Sequence, residues 1–367
     1  MVHFTQNIDS AVRLIAFYLP QFHPIPENDA WWGKGFTEWT NVAKARPLFK
    51  GHYQPHVPAD LGYYDLRIPE VRAAQAELAK AYGIHGFCYY HYWFNGCRIL
   101  ERPFQEVFSS GSPDFPFCLC WANENWTKVW DGGEDHILLQ QRYSREDDLL
   151  HIRHLLPFFS DKRYIRVNGK PVFLIYRSES FPDIRQTIDI WRHEAVRLGI
   201  GDIYLIRVEN FTIDKDIERL GFDAAVHFSP SAGYGNSQNF TVLNRFLLGQ
   251  NYFLDGNAIL GYESYAKYYC SQRYDEYKRY RCAMVDFDNS SRRKQGATIF
   301  VGSTPQHYYE FLRSIIRDTL ADSKLNDKLV FINAWNEWGE GNYLEPDAVW
   351  GRGYLESTKK ALHEAYD

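Results

Sequence analysis

The sequence predicts a (β/α)8 barrel, or TIM barrel, formed as a single catalytic domain over residues 1–367. Three observations predict it: eight apolar strand-like runs, amphipathic helical segments between them, and several long connections that follow strands. α/β barrels of this length are commonly single domains. A doubly wound open sheet is the alternative architecture for this alternation.

The eight candidate strands are runs of apolar, β-branched or aromatic residues. They cover residues 12–18, 86–92, 117–121, 171–176, 203–208, 224–228, 283–287 and 329–334. The candidate helices cover residues 68–82, 145–159, 184–198, 213–220, 262–277, 305–320 and 354–365, with a weaker one at 102–108. In the first helix, Val71, Ala74, Leu78 and Ala81 form the predicted apolar face.

The connections differ in length according to their direction. Those that return from a helix to a strand are short, and each carries a glycine that suits a helix C-cap, as at residues 83–85, 199–202 and 221–223. Those that leave a strand are long, at residues 19–65, 122–143, 229–260, 288–304 and 335–353. In a barrel they emerge at the C-terminal face of the strands, where the active site lies. An exception is Asn168-Gly169, which predicts a tight hairpin before the fourth strand.

Composition excludes several functions and points to sugars. A net charge of −5 argues against nucleic-acid binding, and nothing indicates membrane insertion. The chain is 17% aromatic, with 11 Trp and 26 Tyr, which is more than packing needs and suits a groove for the apolar faces of sugars. Residues 2–10 are polar and lack the layout of a signal peptide, so the sequence as given predicts a cytoplasmic protein. The six cysteines are scattered in apolar runs, and we expect reduced core residues.

The eighth apolar run opens into two carboxylates, Glu337 and Glu340, next to Trp335 and Asn336. Burying a carboxylate without a partner is costly, so these glutamates are expected to line a cavity. The alternative is a pair of loop glutamates that face solvent or bind arginines. A turn after Asn336 would bring both to one side, whereas a continuing strand would point them in opposite directions.

Other candidate residues for substrate binding follow the first three strands and the seventh. The loops after strands are rich in rings, amides and carboxylates that can recognise hydroxyl groups and stack on sugars. These candidates are Tyr18, His23, Glu38, Trp39, Tyr90, Trp93, Asn123, Glu124, Trp126 and Asp286, together with Trp335 and Asn336 beside the two glutamates. Alternation in the second strand predicts that Tyr90 and Tyr92 share a face, with His91 and Trp93 on the other, and Trp93 is expected to reach the site. A structural histidine at position 23, and caps or turns at 123 and 124, are the alternatives.

Other chemistries lack their sequence motifs. The chain has no H-E-x-x-H, no phosphate-binding G-x-x-x-x-G-K-[ST], no dinucleotide-binding G-x-G-x-x-G after a strand and no G-x-S-x-G elbow. No metal and no cofactor are expected. Paired carboxylates and abundant aromatic residues on a barrel are typical of glycoside hydrolysis, with an oligo- or polysaccharide as partner.

Four segments resemble the WbsX-type proteins of bacterial polysaccharide loci. Those proteins are often labelled glycosyltransferases. They are related to glycoside hydrolase family 99, the endo-α-mannosidase and endo-mannanase family. The four segments are FYLPQFHP at residues 17–24, WWGKGFTEW at 31–39, WANENW at 121–126 and WNEWGEG at 335–341. The resemblance spans almost the whole chain. It implies a (β/α)8 fold and metal-independent, retaining cleavage of an α-linked sugar.

The resemblance also implies separate roles for the two glutamates. Glu337 matches the base that assists the sugar 2-hydroxyl in attacking C1 to form a 1,2-anhydro sugar, and Glu340 matches the acid/base at the leaving oxygen. The hydrolase motif carries a histidine where this chain has Gly339, so the sugar can be of mannose or rhamnose type. Two other functions remain open: a glycosyltransferase of surface polysaccharide or O-antigen biosynthesis, and a non-catalytic glycan-binding barrel.

Overall fold

A computed structural model describes residues 12–128, 133–210, 212–214, 216–231, 256–272, 276–293 and 295–365. Within them, eight strands pair in parallel, each with the next in the chain. The last strand pairs with the first, in the register Val12↔Lys328 to Ala16↔Ile332, and so closes the ring. The predicted (β/α)8 barrel is therefore confirmed.

The barrel strands are β1 Val12–Tyr18, β2 Ile84–His91, β3 Phe117–Trp121, β4 Lys170–Ile175, β5 Tyr204–Glu209, β6 Ala224–His227, β7 Arg279–Met284 and β8 Lys328–Asn333. Most bounds lie within a few residues of those predicted. The seventh strand begins four residues earlier than expected because Arg279, a charged residue that hides the strand pattern, is buried in an ion pair with Glu209.

The helices of the described segments are α1 Pro26–Trp32, α2 Glu38–Lys44, α3 Pro69–Ala81, α4 Arg102–Ser110, α5 Arg145–Phe159, α6 Ile184–Arg197, α7 Tyr262–Ser271, α8 Pro305–Ala321 and α9 Gly353–Glu364. None of them is both long enough and apolar enough to cross a membrane. Shorter strands lie in the loops, in the pairs Trp93–Phe94 with Cys97–Arg98, Trp126–Lys128 with Gly133–Leu139, Ala258–Gly261 with Thr298–Val301, and Asn336–Glu337 with Asn342–Tyr343.

Two predicted helices differ from the structure. Residues 217–220 form turns, so the short helix expected between β5 and β6 is wrong. The helix predicted for residues 262–277 ends at Ser271. The hairpin at Asn168-Gly169 is confirmed: Arg166–Val167 pairs antiparallel with the start of β4, and both turn residues have positive φ, at 50° and 78°.

The buried face of α3 is rotated from the predicted one. Arg72, Gln75, Ala76 and Ala79 are the buried residues of α3, rather than the apolar set with Val71. Arg72 Nη1 donates to the Leu66 carbonyl oxygen at 2.5 Å, which offsets the cost of burying a guanidinium. Hydrogen bonding, which an apolar pattern does not record, decides which face turns inward.

The six cysteines are all free. Cys88, Cys118, Cys120 and Cys282 are buried, as predicted, whereas Cys97 is exposed and Cys270 is partly exposed. The prediction of core cysteines is therefore correct for four of the six.

Aromatic side chains fill the barrel interior just below its C-terminal end. Phe17 of β1 lies 5.6 Å from the Tyr90 ring of β2, 5.3 Å from Phe228 after β6 and 5.6 Å from Phe331 of β8, measured between ring centroids. Offset and edge-to-face contacts of this kind add to the stabilisation from burial. They form a floor beneath the loops that follow the strands.

Candidate active site

A cavity of about 610 Å³ opens above this floor. Its lining comes mainly from residues at or after the C-terminal ends of the strands, so it lies at the C-terminal face of the barrel, where active sites of this fold lie. The lining includes Leu19, Gln21, Trp32, Tyr90, Tyr92, Glu124, Asn125, Trp126, Tyr176, Asn210, Phe228, Phe287, Arg292, Arg293, Phe300, Glu337 and Glu340.

Glu337 and Glu340 reach this cavity from one turn. The short strand Asn336–Glu337 runs directly into a 3-10 turn, Trp338–Glu340, which ends at Gly341 in the left-handed conformation. Residues three apart in such a turn lie on the same side. The Glu337 side chain is 8% exposed and that of Glu340 is 26% exposed. The turn therefore brings both carboxylates to one side, which is the first of the two arrangements left open by the sequence.

One guanidinium binds three carboxylates at the cavity wall. Arg292 Nη2 donates to Glu337 Oε2 at 2.8 Å, and Nη1 donates to Glu340 Oε1 at 2.6 Å. Its Nε donates to Glu38 Oε1 at 2.7 Å. The Arg292 side chain is only 13% exposed, so this is a largely desolvated ion cluster with more acids than bases.

Burial dominates the electrostatics of the two cavity glutamates. It raises the pKa of Glu337 to about 8, with Arg292 opposing and Glu340 and Glu38 reinforcing the rise. It also raises the pKa of Glu340, again against Arg292. Because the two carboxyls interact through the same guanidinium, the proton belongs to the pair. The pair therefore holds a proton at neutral pH, as an acid catalyst requires.

A buried network lies behind the turn. Glu345, 2% exposed, accepts hydrogen bonds from Tyr64 Oη at 2.8 Å, Gln75 Nε2 at 2.7 Å and Trp338 Nε1 at 2.6 Å. Burial raises the pKa of Glu345 to about 7. Asn336 accepts from the Leu19 amide at 2.7 Å and donates to the Leu19 carbonyl at 3.0 Å. The residues on both sides of Glu337 are thus held by buried partners.

The Glu345→Gln variant is expected to lower the free energy of unfolding by about 1–3 kcal/mol, because either orientation of the amide points its NH2 group at a donor. The measurement is urea unfolding at pH 7.5. Glu310→Gln is the matched control, since Glu310 is exposed and accepts only from Gln306 of its own helix in the described contacts. Equal midpoints for Glu345→Gln and wild type would contradict this role for Glu345.

Polar and aromatic groups line the rest of the cavity. Glu124 Oε1 accepts from Arg177 Nη1 at 2.8 Å, and burial raises its pKa. The Trp126 indole meets the rings of Tyr92 and Trp31 edge-to-face at 5.6 Å and 5.5 Å. A carboxylate beside aromatic rings can bind sugar hydroxyls while the rings contact the apolar face of the sugar.

Of the predicted site residues, the structure brings five into the cavity lining. They are Tyr90, Glu124, Trp126, Glu337 and Glu340. Tyr90 and Tyr92 share the cavity side of β2, and the rings of His91 and Trp93 pack together on the other. The predicted alternation is therefore confirmed.

Tyr18 and Trp93 lie behind the barrel wall. Tyr18 Oη donates to Gln75 Oε1 of α3 at 2.8 Å. Trp93 Nε1 donates to Asp147 Oδ1 at 3.0 Å, and its ring stacks on His151 of α5 at 4.7 Å. The expectation that Trp93 reaches the site is wrong, because α5 supplies both a ring and an acceptor on the outer side.

The remaining predicted residues are also outside the cavity lining. They are His23, Glu38, Trp39, Asn123, Asp286, Trp335 and Asn336. Burial lowers the pKa of His23 to about 4, so the ring is neutral, and burial raises the pKa of Asp286 well above its usual value. Trp39 Nε1 donates to the Tyr64 carbonyl at 2.7 Å.

Asn123 and Trp335 support the neighbouring backbone and core. Asn123 Oδ1 accepts from the Arg177 amide at 2.8 Å, and Asn123 Nδ2 donates to the Arg177 carbonyl at 2.9 Å, which ties the ends of β3 and β4 together. Trp335 is fully buried and its ring packs 5.1 Å from Phe87. Both side chains therefore act on the frame of the site, outside the cavity lining.

Arg292 is the main cavity residue that sequence reasoning missed. It follows the 3-10 turn Asn289–Ser291, in the long connection after β7. Its signal is electrostatic: two glutamates expected in a cavity need a cation, and Arg292-Arg293 is a pair of arginines in a loop on the same barrel face. Tyr92, also missed as a site residue, shares the face of Tyr90.

Gly339 is packed too tightly for a side chain. A Cβ atom there would lie 1.6 Å from Glu38 Oε1 and 2.7 Å from Arg292 Nε. Gly339, where this chain differs from the hydrolase motif, is therefore the residue of the turn that packs against Glu38 and Arg292.

Comparisons with known proteins agree with this fold. A family model described as "Glycosyltransferase WbsX" matches residues 14–358. Two proteins called "Uncharacterized protein WxcX", from Xanthomonas campestris pv. campestris strains ATCC 33913 and B100, are 43% and 42% identical over 354 residues. The match covers 96% of this chain and 50% of theirs, so the chain spans about half the length of these relatives.

Solved structures share the architecture at low identity. The GH99 endo-alpha-mannosidase from Bacteroides thetaiotaomicron superposes with a TM-score of 0.59 at 14% identity, over 96% of this chain and 97% of that one. A "Glycoside hydrolase-like protein" gives a TM-score of 0.60 at 13% identity, over 99% of this chain and 96% of that one. This likeness is one of fold. With the family match over nearly its whole length, the chain belongs to the WbsX family, on a barrel like that of the GH99 enzymes.

Proposed function

We propose that this protein is a retaining glycoside hydrolase that cleaves an α-linked polysaccharide of mannose or rhamnose type. The observation that carries the proposal is the pair Glu337 and Glu340, joined by Arg292 at the wall of a cavity large enough for sugar residues. A single guanidinium that binds both carboxylates keeps them at the same part of the cavity wall, as a mechanism that uses two carboxyl groups requires.

In the first step, Glu340 donates its proton to the glycosidic oxygen as the bond from C1 to that oxygen breaks. The sugar 2-oxygen attacks C1 and gives its proton to Glu337, which yields a 1,2-anhydro sugar and a free leaving sugar. Glu340 suits the leaving-group side because it is the more exposed of the two to the cavity.

In the second step, Glu340 is ionised and accepts a proton from water while the water oxygen attacks C1. The bond from C1 to the 2-oxygen opens, and Glu337 returns its proton to that oxygen. Both carboxyls regain their starting states, and two inversions at C1 give net retention. Burial raises the pKa of both glutamates and Arg292 binds both, which supports a pair that holds one proton between them.

The purified protein is expected to release products from α-mannans or rhamnose-rich polysaccharides without any nucleotide sugar. The measurement is chromatography of products, with proton NMR of the first anomer formed to detect retention. Products that form only when a nucleotide sugar is added would instead identify a glycosyltransferase, as the family description suggests. Glycan binding without any product would identify a non-catalytic barrel.

A further inference from the structure

Glu38 touches the site without facing the cavity. It is the first residue of α2, is fully buried, and does not contribute to the cavity lining. We propose, on the basis of the hydrolase function above, that Glu38 is a positioning residue that anchors Arg292, so that one guanidinium holds Glu337 and Glu340 in their working arrangement.

The guanidinium divides its donors among the three acids. Nε binds Glu38 at 2.7 Å, which leaves the two terminal nitrogens for Glu337 and Glu340. The planar, rigid fork of an arginine then fixes the relative placement of the two cavity carboxylates. By accepting from Nε, Glu38 fixes the orientation of the guanidinium group.

The surrounding elements hold Glu38 against the turn. A capping box between Thr37 and Thr40 fixes the start of α2. Ser291 Oγ, next to Arg292, donates to the Gly339 carbonyl at 2.7 Å, and the Asp288 amide donates to the Glu340 carbonyl at 2.6 Å. The loops after β1, β7 and β8 are thereby joined around a single ion cluster.

Gly339 provides the space for this contact. Its φ is not in the left-handed region, so backbone conformation does not require glycine there. The requirement is steric, since a Cβ would overlap Glu38 Oε1 at 1.6 Å. Glu38, Arg292 and Gly339 therefore form one packing unit, and a change in any of them should move the same carboxylates.

Removing the negative charge of Glu38 is expected to lower the pKa of Glu337 and of Glu340. The negative charge of Glu38 raises the pKa of Glu337 and of Glu340. Glu38 also competes for Arg292, the cation that lowers both pKa values. The other charged or titratable groups with a described electrostatic interaction with this pair are Tyr90, Tyr92, Glu124, Tyr176 and Arg293. These groups are unchanged in a Glu38 variant.

The test follows the carboxyl carbons of 13C-glutamate in the full chain by NMR as pH changes, with Glu337→Gln and Glu340→Gln used to assign the two signals. Glu38→Gln keeps an oxygen that can accept from Arg292 Nε but removes the negative charge that competes for the guanidinium, so the titration midpoints of Glu337 and Glu340 are expected to fall by about one pH unit or more. If glycan cleavage is observed, the alkaline limb of its pH profile is expected to move down by a similar amount, because the acid form of Glu340 is lost earlier. Glu263→Gln, an exposed change in the ion pair with Lys267, should leave both readouts in place.

Gly339→Ala provides an independent variant. It should displace the Glu38 carboxylate, and adding Glu38→Ala to it should cost little more activity, because the two changes break the same contact. Unchanged midpoints in Glu38→Gln would overturn the proposal, as would a uniform loss of activity with an unchanged pH profile. A shift of the midpoints in a protein that cleaves no glycan would leave the anchoring role standing and remove the hydrolase function.

Discussion

The Glu340→Gln variant is expected to cleave its polysaccharide about 10²–10⁴-fold more slowly than wild type, because the amide cannot give a proton to the leaving oxygen. Glu337→Gln is expected to lose a similar factor, since the 2-hydroxyl would lack its base. Release of reducing ends under saturating substrate measures both effects. Near-normal turnover in both variants would rule out the proposed chemistry.

Two controls separate chemistry from folding. Both substitutions keep the side-chain shape and remove a like charge from the cluster, so thermal unfolding is expected to occur at or above the wild-type temperature at pH 8. Glu263→Gln makes the same chemical change on the exposed face of α7 and should retain full activity. A lowered unfolding temperature in the cavity variants would point to a folding defect.

Replacing Arg292 with methionine is expected to have the largest effect on stability. Glu38, Glu337 and Glu340 are all buried or partly buried, and the substitution removes the cation that they share. Breaking a buried ion cluster by removing one partner costs about 3–5 kcal/mol. Activity of the Arg292→Met variant should also fall, because Glu337 and Glu340 lose the guanidinium that binds both. Urea unfolding measures the first effect and reducing-end release the second.

The stability loss in this variant should depend on pH in a definite direction. Arg292 lowers the pKa of Glu337 and of Glu340, so its removal raises both further above the unfolded value of about 4.3. A carboxyl whose pKa is raised by folding loses stability as pH rises from the unfolded toward the folded value. The deficit should therefore be small at pH 5 and largest near pH 9. Arg352→Met, an exposed change that breaks the ion pair with Asp60, should show no such pH dependence. An equal stability loss at pH 5 and pH 9 in Arg292→Met would contradict the role of the ion cluster.

Local pattern predicted most of the framework. Strand–helix alternation predicted the barrel, because that pattern depends on residues close in the chain. The spacing of Glu337 and Glu340 was compatible with a turn and with a continuing strand, so it did not decide whether both lie on one side. Alternation alone predicted that Tyr90 and Tyr92 share one face and that His91 and Trp93 share the other. The hairpin at Asn168-Gly169 followed from turn chemistry.

The misses involve partners that are distant in the chain. Trp93 turns outward because α5 offers His151 and Asp147, and no feature of β2 records them. Arg292 was missed because its role depends on carboxylates from two other loops. Gln75 lies outside the apolar face predicted for α3, yet it is buried and donates to Glu345, 270 positions away. Tertiary contacts of this kind override local preference.

The ion cluster also links the assembly of the proposed site to the order in which the chain is synthesised. Glu38 follows β1, whereas Arg292 follows β7 and lies 254 positions later, and Glu337 follows β8. β1 and β8 are the strands whose pairing closes the ring. A nascent chain that has formed six strands already carries Glu38 but lacks the cation that compensates it. The complete ion cluster therefore forms only at ring closure, one of the long-range pairings that are slowest to form, so an assembled cluster reports completion of the barrel.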